Sequence, residues 1–262
     1  MNNQFSKELL ELYTAKSKHS AYQQLPESLL SLMGNPNLEV VKRYEKERFE
    51  FILKYLSLAH VSVLDIGGNT GYFTISAIEN GARHVDYYEG NEKHADFVHI
   101  ASLALGIADR IKINKQYFEF KPNIVDQKQY DICFCLNVLH HLGDDFGDRN
   151  IGISNAKKEM IESLNSMSYY INIIFFQMGF NWKGDRNRPI FENGTKKEMI
   201  QFITDGIFDK WEIVDIAIPE NVNGNIEYKK INSNNIERND KLGEFLNRPI
   251  FMLKSKVISE RQ

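Results

Sequence analysis

The chain has 262 residues, of which 42% are hydrophobic and 26% charged, with a formal net charge of −3. That size allows one large domain or one domain plus a cap, and the composition is that of an ordinary globular protein. The charge excludes the global basic field that marks many nucleic-acid binders, leaving only a local basic patch open.

No stretch approaches the ~18 consecutive apolar residues of a membrane helix. The start, "MNNQFSKELLELY", has no basic region followed by an apolar core, so no secretory signal is expected. The two cysteines, Cys133 and Cys135, are too few for a disulfide scaffold, which suits a reducing cytoplasm. Two apart in one predicted strand, they share a face and read as small core side chains.

In chain order, residues 1–60 carry helical patterns and no strand signal, and are expected to form an N-terminal helical cap. Phe5, Leu9, Leu12 and Tyr13 make a stripe on a helix over Phe5 to Lys18. "SKHSAYQQLPESLLSLMGNPN" reads as a short helix between turns, and a further helix is expected from Asn37 to Leu56. Arg43, Tyr44 and Arg48 on it are candidates to reach inward over a cleft. From residue 61 to 262 strands alternate with helices, which implies a parallel sheet with right-handed crossovers. "VSVLDI", "HVDYYE", "RIKIN", "YDICFCLNV" and "YYINIIFF" are strands; Thr70–Ile78, Lys93–Leu105 and Asn155–Met167 are helices. Thr195 caps the helix "KKEMIQFI", with Glu198 completing a capping box. "WEIVDIAI" and "RPIFMLKS" follow with no helix between, an antiparallel edge. Their polar, asparagine-rich connection, Pro219 to Asn247, is too long for a tight hairpin.

The first strand runs into a glycine-rich turn, "VLDIGGNTGYF". In an open α/β sheet ligands sit at such turns, beyond the carboxyl ends of the strands. A nucleoside triphosphate would need Lys and Ser/Thr after the last glycine, and Gly71 is followed by Tyr72 and Phe73. A dinucleotide fingerprint would need glycine at position 66, which is Ile66. Asp65 would also aim a carboxylate at the pyrophosphate, which wants helix N–H groups instead. S-adenosylmethionine (SAM) has no phosphate and carries a sulfonium and an ammonium, so a nearby carboxylate helps it. A second acid, Glu89, ends the next strand, where it can accept both ribose hydroxyls; NAD enzymes use the same device.

The turn resembles the first motif of class I SAM-dependent methyltransferases, D-x-G-x-G-x-G, through Asp65, Gly67, Asn69 and Gly71. Asn69 replaces the middle glycine, and asparagine tolerates a left-handed backbone. The turn and the "EGN" of Glu89, Gly90 and Asn91 are similar to the FkbM-like branch. The resemblance spans roughly Val61 to Lys254. It implies a doubly wound α/β sheet of seven strands, mostly parallel with an antiparallel last strand, and SAM as cofactor. It places Asp65, Gly67, Gly68, Asn69, Gly71, Tyr72, Glu89, Gly90, Asn91 and Asn137 against that cofactor. The family's acid after the third strand is not evident in "INKQYFEF", so Tyr117 or Phe118 is the candidate to stack on adenine.

The fourth strand ends "LNVLHHLGDDFGD", and "NVLHHL" resembles acceptor-side loops of small-molecule and tRNA-modifying members, the match falling on His141. A hydroxyl acceptor needs a base, and histidine titrates in the useful range; His141 and His140 are the catalytic candidates. Asp144 and Asp145 would complete a metal set with them, but no metal is expected. After the fifth strand, "QMGFNWKGDRNRPIF" offers Trp182 for stacking and Lys183, Arg186 and Arg188 for phosphate or carboxylate. The expected activity is O-methylation of a saccharide or other small polar, even phosphorylated, acceptor. A tRNA wobble-uridine-modifying enzyme and a non-catalytic SAM-binding partner subunit are the alternatives. Nucleic acid is the less favoured partner, and the oligomeric state is not legible.

Overall fold

A computed structural model describes residues 2–15, 22–120 and 128–260. Lys16 to Lys18, the end expected for the first helix, lie outside the described residues. Backbone contacts divide the chain into two compact units, Met1–Phe118 and Glu119–Gln262.

The first unit begins with three helices, α1 (Asn2–Thr14), α2 (Glu27–Leu32) and α3 (Glu45–Tyr55). The helix expected from Asn37 starts only at Glu45, because Tyr44 at its N-cap adopts a left-handed backbone, φ 57°, that a helix cannot continue through. Then come β1 (Ser62–Ile66), α4 (Tyr72–Glu79), β2 (His84–Tyr88), α5 (Glu92–Ala104) and β3 (Ile111–Asn114). The strands are parallel in the order β3-β2-β1. All five residues of β1 are buried, as expected for a strand covered on both faces.

Seven of the eight residues of α4, Tyr72 to Ile78, are buried. A helix buried all round, here with Thr74 and Ser76 among its apolar residues, needs cover on every side. The N-terminal helices supply part of it: Phe49 of α3 lies 6.4 Å from the Tyr72 ring and 6.1 Å from that of Phe73. Tyr13 of α1 packs on Phe97 of α5 at 5.8 Å. Arg48 is buried too; it pairs with Glu45 at 3.2 Å and lies over the Phe73 ring. Its neighbour Arg43 stacks on Tyr22 instead.

The second unit contains β4 (Tyr130–Leu136), α6 (Ile153–Met167), β5 (Ile171–Gln177), α7 (Lys196–Ile207), β6 (Trp211–Val222), β7 (Asn225–Lys230), β8 (Ile250–Ser255) and α8 (Lys256–Ser259). Strand order is β4-β5-β8-β6-β7, with β4 and β5 parallel and every later pairing antiparallel. Cys133 and Cys135 are buried in β4 and are not joined in a disulfide. The capping box at Thr195 is present. The described residues hold eight strands where seven were expected. The extra one, β7, lies in the connection after Pro219 and forms a hairpin with β6. Its turn, Asn223-Gly224, has φ of 53° and 90°, the double left-handed geometry that matches the twist of paired strands. Two short 3-10 turns, Asp240–Leu242 and Phe245–Asn247, complete the connection.

Candidate functional site

In the first unit the turn after β1 has three left-handed residues: Gly67 (φ 68°), Asn69 (φ 50°) and Gly71 (φ 81°). Asn69 therefore adopts the backbone that its substitution for glycine required. Close approach also dictates glycine here. A Cβ on Gly68 would fall 2.5 Å from the Tyr87 ring, and one on Gly71 2.7 Å from Val98. Tyr87 is buried, and its hydroxyl donates to the Asn69 carbonyl. The turn is thus pressed onto β2.

Glu89 ties this turn to the next one. One carboxylate oxygen accepts the Asn69 N–H at 2.9 Å and the other the Asn91 N–H at 2.8 Å. Asn91 caps α5 by accepting the Lys93 N–H at 3.1 Å. A Cβ on Gly90 would collide with the Tyr117 ring at 2.4 Å, so that ring covers Gly90. Phe118 instead meets Tyr88 edge-on at 4.9 Å. Asp65 is buried at the end of β1 and accepts the Thr74 hydroxyl at 2.6 Å. Burial, and secondarily the charge of Glu89, push its carboxyl up to about 7 against the pull of Thr74. The structure thus gathers Asp65, Gly67, Gly68, Asn69, Gly71, Tyr72, Glu89, Gly90 and Asn91 around two adjoining turns. The donor set fits a cationic nucleoside: two carboxylates, a backbone stripped of Cβ atoms, and an aromatic ring at the rim.

In the second unit Asn137 follows β4 in a left-handed conformation, φ 66°. Its side chain donates to Gln177 Oε1 at 2.9 Å and accepts from Arg248 at 2.7 Å. Arg248 forms a fork with Glu244. This Asn137–Gln177–Arg248–Glu244 network escaped the sequence reading. Its one sequence signal was Gln177, a polar residue closing an apolar strand.

The two adjacent histidines differ. His140 is buried, its ring packed on Gly179, and its Nδ1 accepts the Gly179 N–H at 3.1 Å, which leaves the proton on Nε2. His141 is partly exposed, with Nδ1 3.7 Å from an Asp145 carboxylate oxygen. His141, Asp144 and Asp145 each offer one ligand atom within 4.8 Å of the others, the set here that could hold a divalent cation. Asp144 is exposed to water, and no metal is assigned.

The loop after β5 lies against the same turn. Trp182 is buried and donates from Nε1 to the Leu142 carbonyl at 2.7 Å. Its ring is covered by Lys183, 4.5 Å away, and Arg188, 5.6 Å away. In this conformation it anchors the loop. A Cβ on Gly184 would meet His141 at 3.3 Å. Arg186 and Arg188 are exposed, Arg188 beside Asp185 at 3.3 Å. His140, His141, Trp182 and Lys183 are therefore brought together, while Arg186 stands out in solvent.

No family model and no curated protein matches the chain. Solved structures do. The N-terminal domain of EvdMO1, solved in the presence of SAH and D-fucose, is similar with a TM-score of 0.55 at 9% identity, over 97% of this chain and 96% of that one. Magnesium protoporphyrin IX methyltransferase (ChlM) from Synechocystis PCC 6803, with bound SAM, is similar with a TM-score of 0.50 at 12% identity, over 95% and 96%. The chain has the fold of the class I SAM-dependent methyltransferases.

Proposed function

We propose that the protein is a SAM-dependent methyltransferase that O-methylates a saccharide or another small polar acceptor, phosphorylated ones included, in the cytoplasm. The observation that carries the cofactor is Glu89 binding the turns after β1 and β2 together. Each carboxylate oxygen can accept at two positions, so Glu89 is suited to take ribose hydroxyls while keeping its backbone donors. Asp65 supplies negative charge for the cationic end, and Tyr117 a ring for the base. SAM, when bound, supplies a methyl group on a positively charged sulfur.

The remaining chemistry is proton removal and orientation. His141 takes the proton of the acceptor hydroxyl, and Asp145 steadies the imidazolium that forms. Lys183, Arg186 and Arg188 hold an anionic group of the acceptor, and residues 1–60 act as a cap on the cofactor side. Sugars come first among acceptors because the EvdMO1 structure was obtained with D-fucose.

Incubation with methyl-labelled SAM and a panel of sugars, sugar phosphates and sugar nucleotides tests the reading. Label should move to a hydroxyl of one class, and His141→Asn should lower kcat ~100-fold or more without changing SAM affinity. Folded protein that gives no heat with millimolar SAM would overturn the proposal.

A further inference from the structure

The N-terminal segment reaches the turn after β1 through one side chain that the cofactor reading does not use. Gln23 is only 7% exposed. Its Oε1 accepts the Tyr72 N–H at 2.9 Å and the Thr70 hydroxyl at 3.2 Å. Two donors on one atom fix which end of the amide is oxygen. The backbone is held as well: the Gln23 carbonyl accepts the Tyr13 hydroxyl at 2.9 Å, and the Tyr13 ring rests on Phe97. α1 and α5 thus set where the amide lies.

Tyr72 is the first residue of α4. Its N–H is one of those a helix leaves unpaired at its start. With the helix dipole, such groups after a glycine turn are where dinucleotide-binding folds hold a pyrophosphate. Gln23 puts a neutral oxygen there, taking both the donor and the space. Asp65 alone is a weaker bar to an anion than its sequence position suggests, because burial leaves its carboxyl only partly charged near neutrality.

We propose that Gln23 is a specificity-determining residue. By filling the start of α4 it closes the position a pyrophosphate would take and reserves the turn for a phosphate-free nucleoside. The proposal rests on the reading of this turn as the cofactor seat.

Titration calorimetry of the wild type, Gln23→Ala and Gln23→Glu with SAH and with ADP tests it, with thermal melts to confirm folding. The wild type should bind SAH and bind ADP weakly or not at all. Gln23→Ala frees a helix-terminal donor for a charged acceptor and should gain ~10-fold or more in ADP affinity. Gln23→Glu keeps an acceptor in place with full negative charge and should gain nothing. If Gln23→Ala melts below the assay temperature, Gln23→Ser, whose hydroxyl stops short of the helix, replaces it under the same criterion. ADP affinity no higher in the shortened variant than in the wild type overturns the role of Gln23. Loss of SAH binding in every folded protein, wild type included, overturns the cofactor reading, while the ADP comparison still decides the role of Gln23.

Discussion

Asp65 shows how burial and charge compete at one residue. Its carboxyl is pushed up to about 7, chiefly by burial, so the folded state holds its proton more tightly than the unfolded chain does. The stability this gives is fully present below the unfolded value of about 4 and is lost as pH rises through about 7. A bound cation favours the charged form and reverses that preference. SAM affinity should therefore rise between about pH 6 and 8, with a proton released on binding at the lower end. Calorimetry in buffers of different ionisation heat would show it, and Asp65→Asn should abolish the proton release. A flat affinity profile would mean that the cationic end of the ligand lies away from Asp65.

At the scale of single elements, the start of α7 is fixed by a reciprocal cap. Thr195 accepts the Glu198 N–H at 3.2 Å, and Glu198 accepts the Thr195 N–H at 2.9 Å. Thr195→Ala should cost ~1 kcal/mol in chemical denaturation and leave cofactor binding unchanged, since α7 contributes none of the proposed ligand-binding residues. This cap was readable because both partners sit three positions apart. So were β1, β2 and the glycine turn, where local pattern and local structure agree. β7 was missed because "NIEYKK" carries too few apolar residues for its alternation to show. The delayed start of α3 was missed because nothing in the sequence marks Tyr44 as left-handed. Gln23 was illegible for a different reason: its partner Tyr72 lies 49 positions away, and no period or motif joins an ordinary glutamine to a distant helix start.

Taken whole, the molecule carries a net charge of −3, and the cations of the loop after β5 are partly spent on the Trp182 ring and on Asp185. Nucleic-acid affinity grows with the number of phosphates neutralised, so little is expected here. A gel-shift assay with total tRNA at roughly physiological salt should show no complex at micromolar protein. A shift that weakens steeply with added salt would favour the tRNA-modifying alternative. No helix among the described residues is long and apolar enough to cross a membrane.

The guanidinium that grips the Asn137 side chain belongs to a residue 111 positions later. A ribosome adding about 5–20 residues per second delivers it some 5–20 s after Asn137. For that interval the nascent loop after β4 lacks this clamp, while Glu89 and Gln23, which hold the turn after β1, both lie within the first 118 residues. The two halves of the proposed chemistry thus mature at different moments of synthesis. The segment carrying His141 meets Gln177, Gly179 and Trp182 earlier, and gains its last described clamp only when translation has passed Arg248.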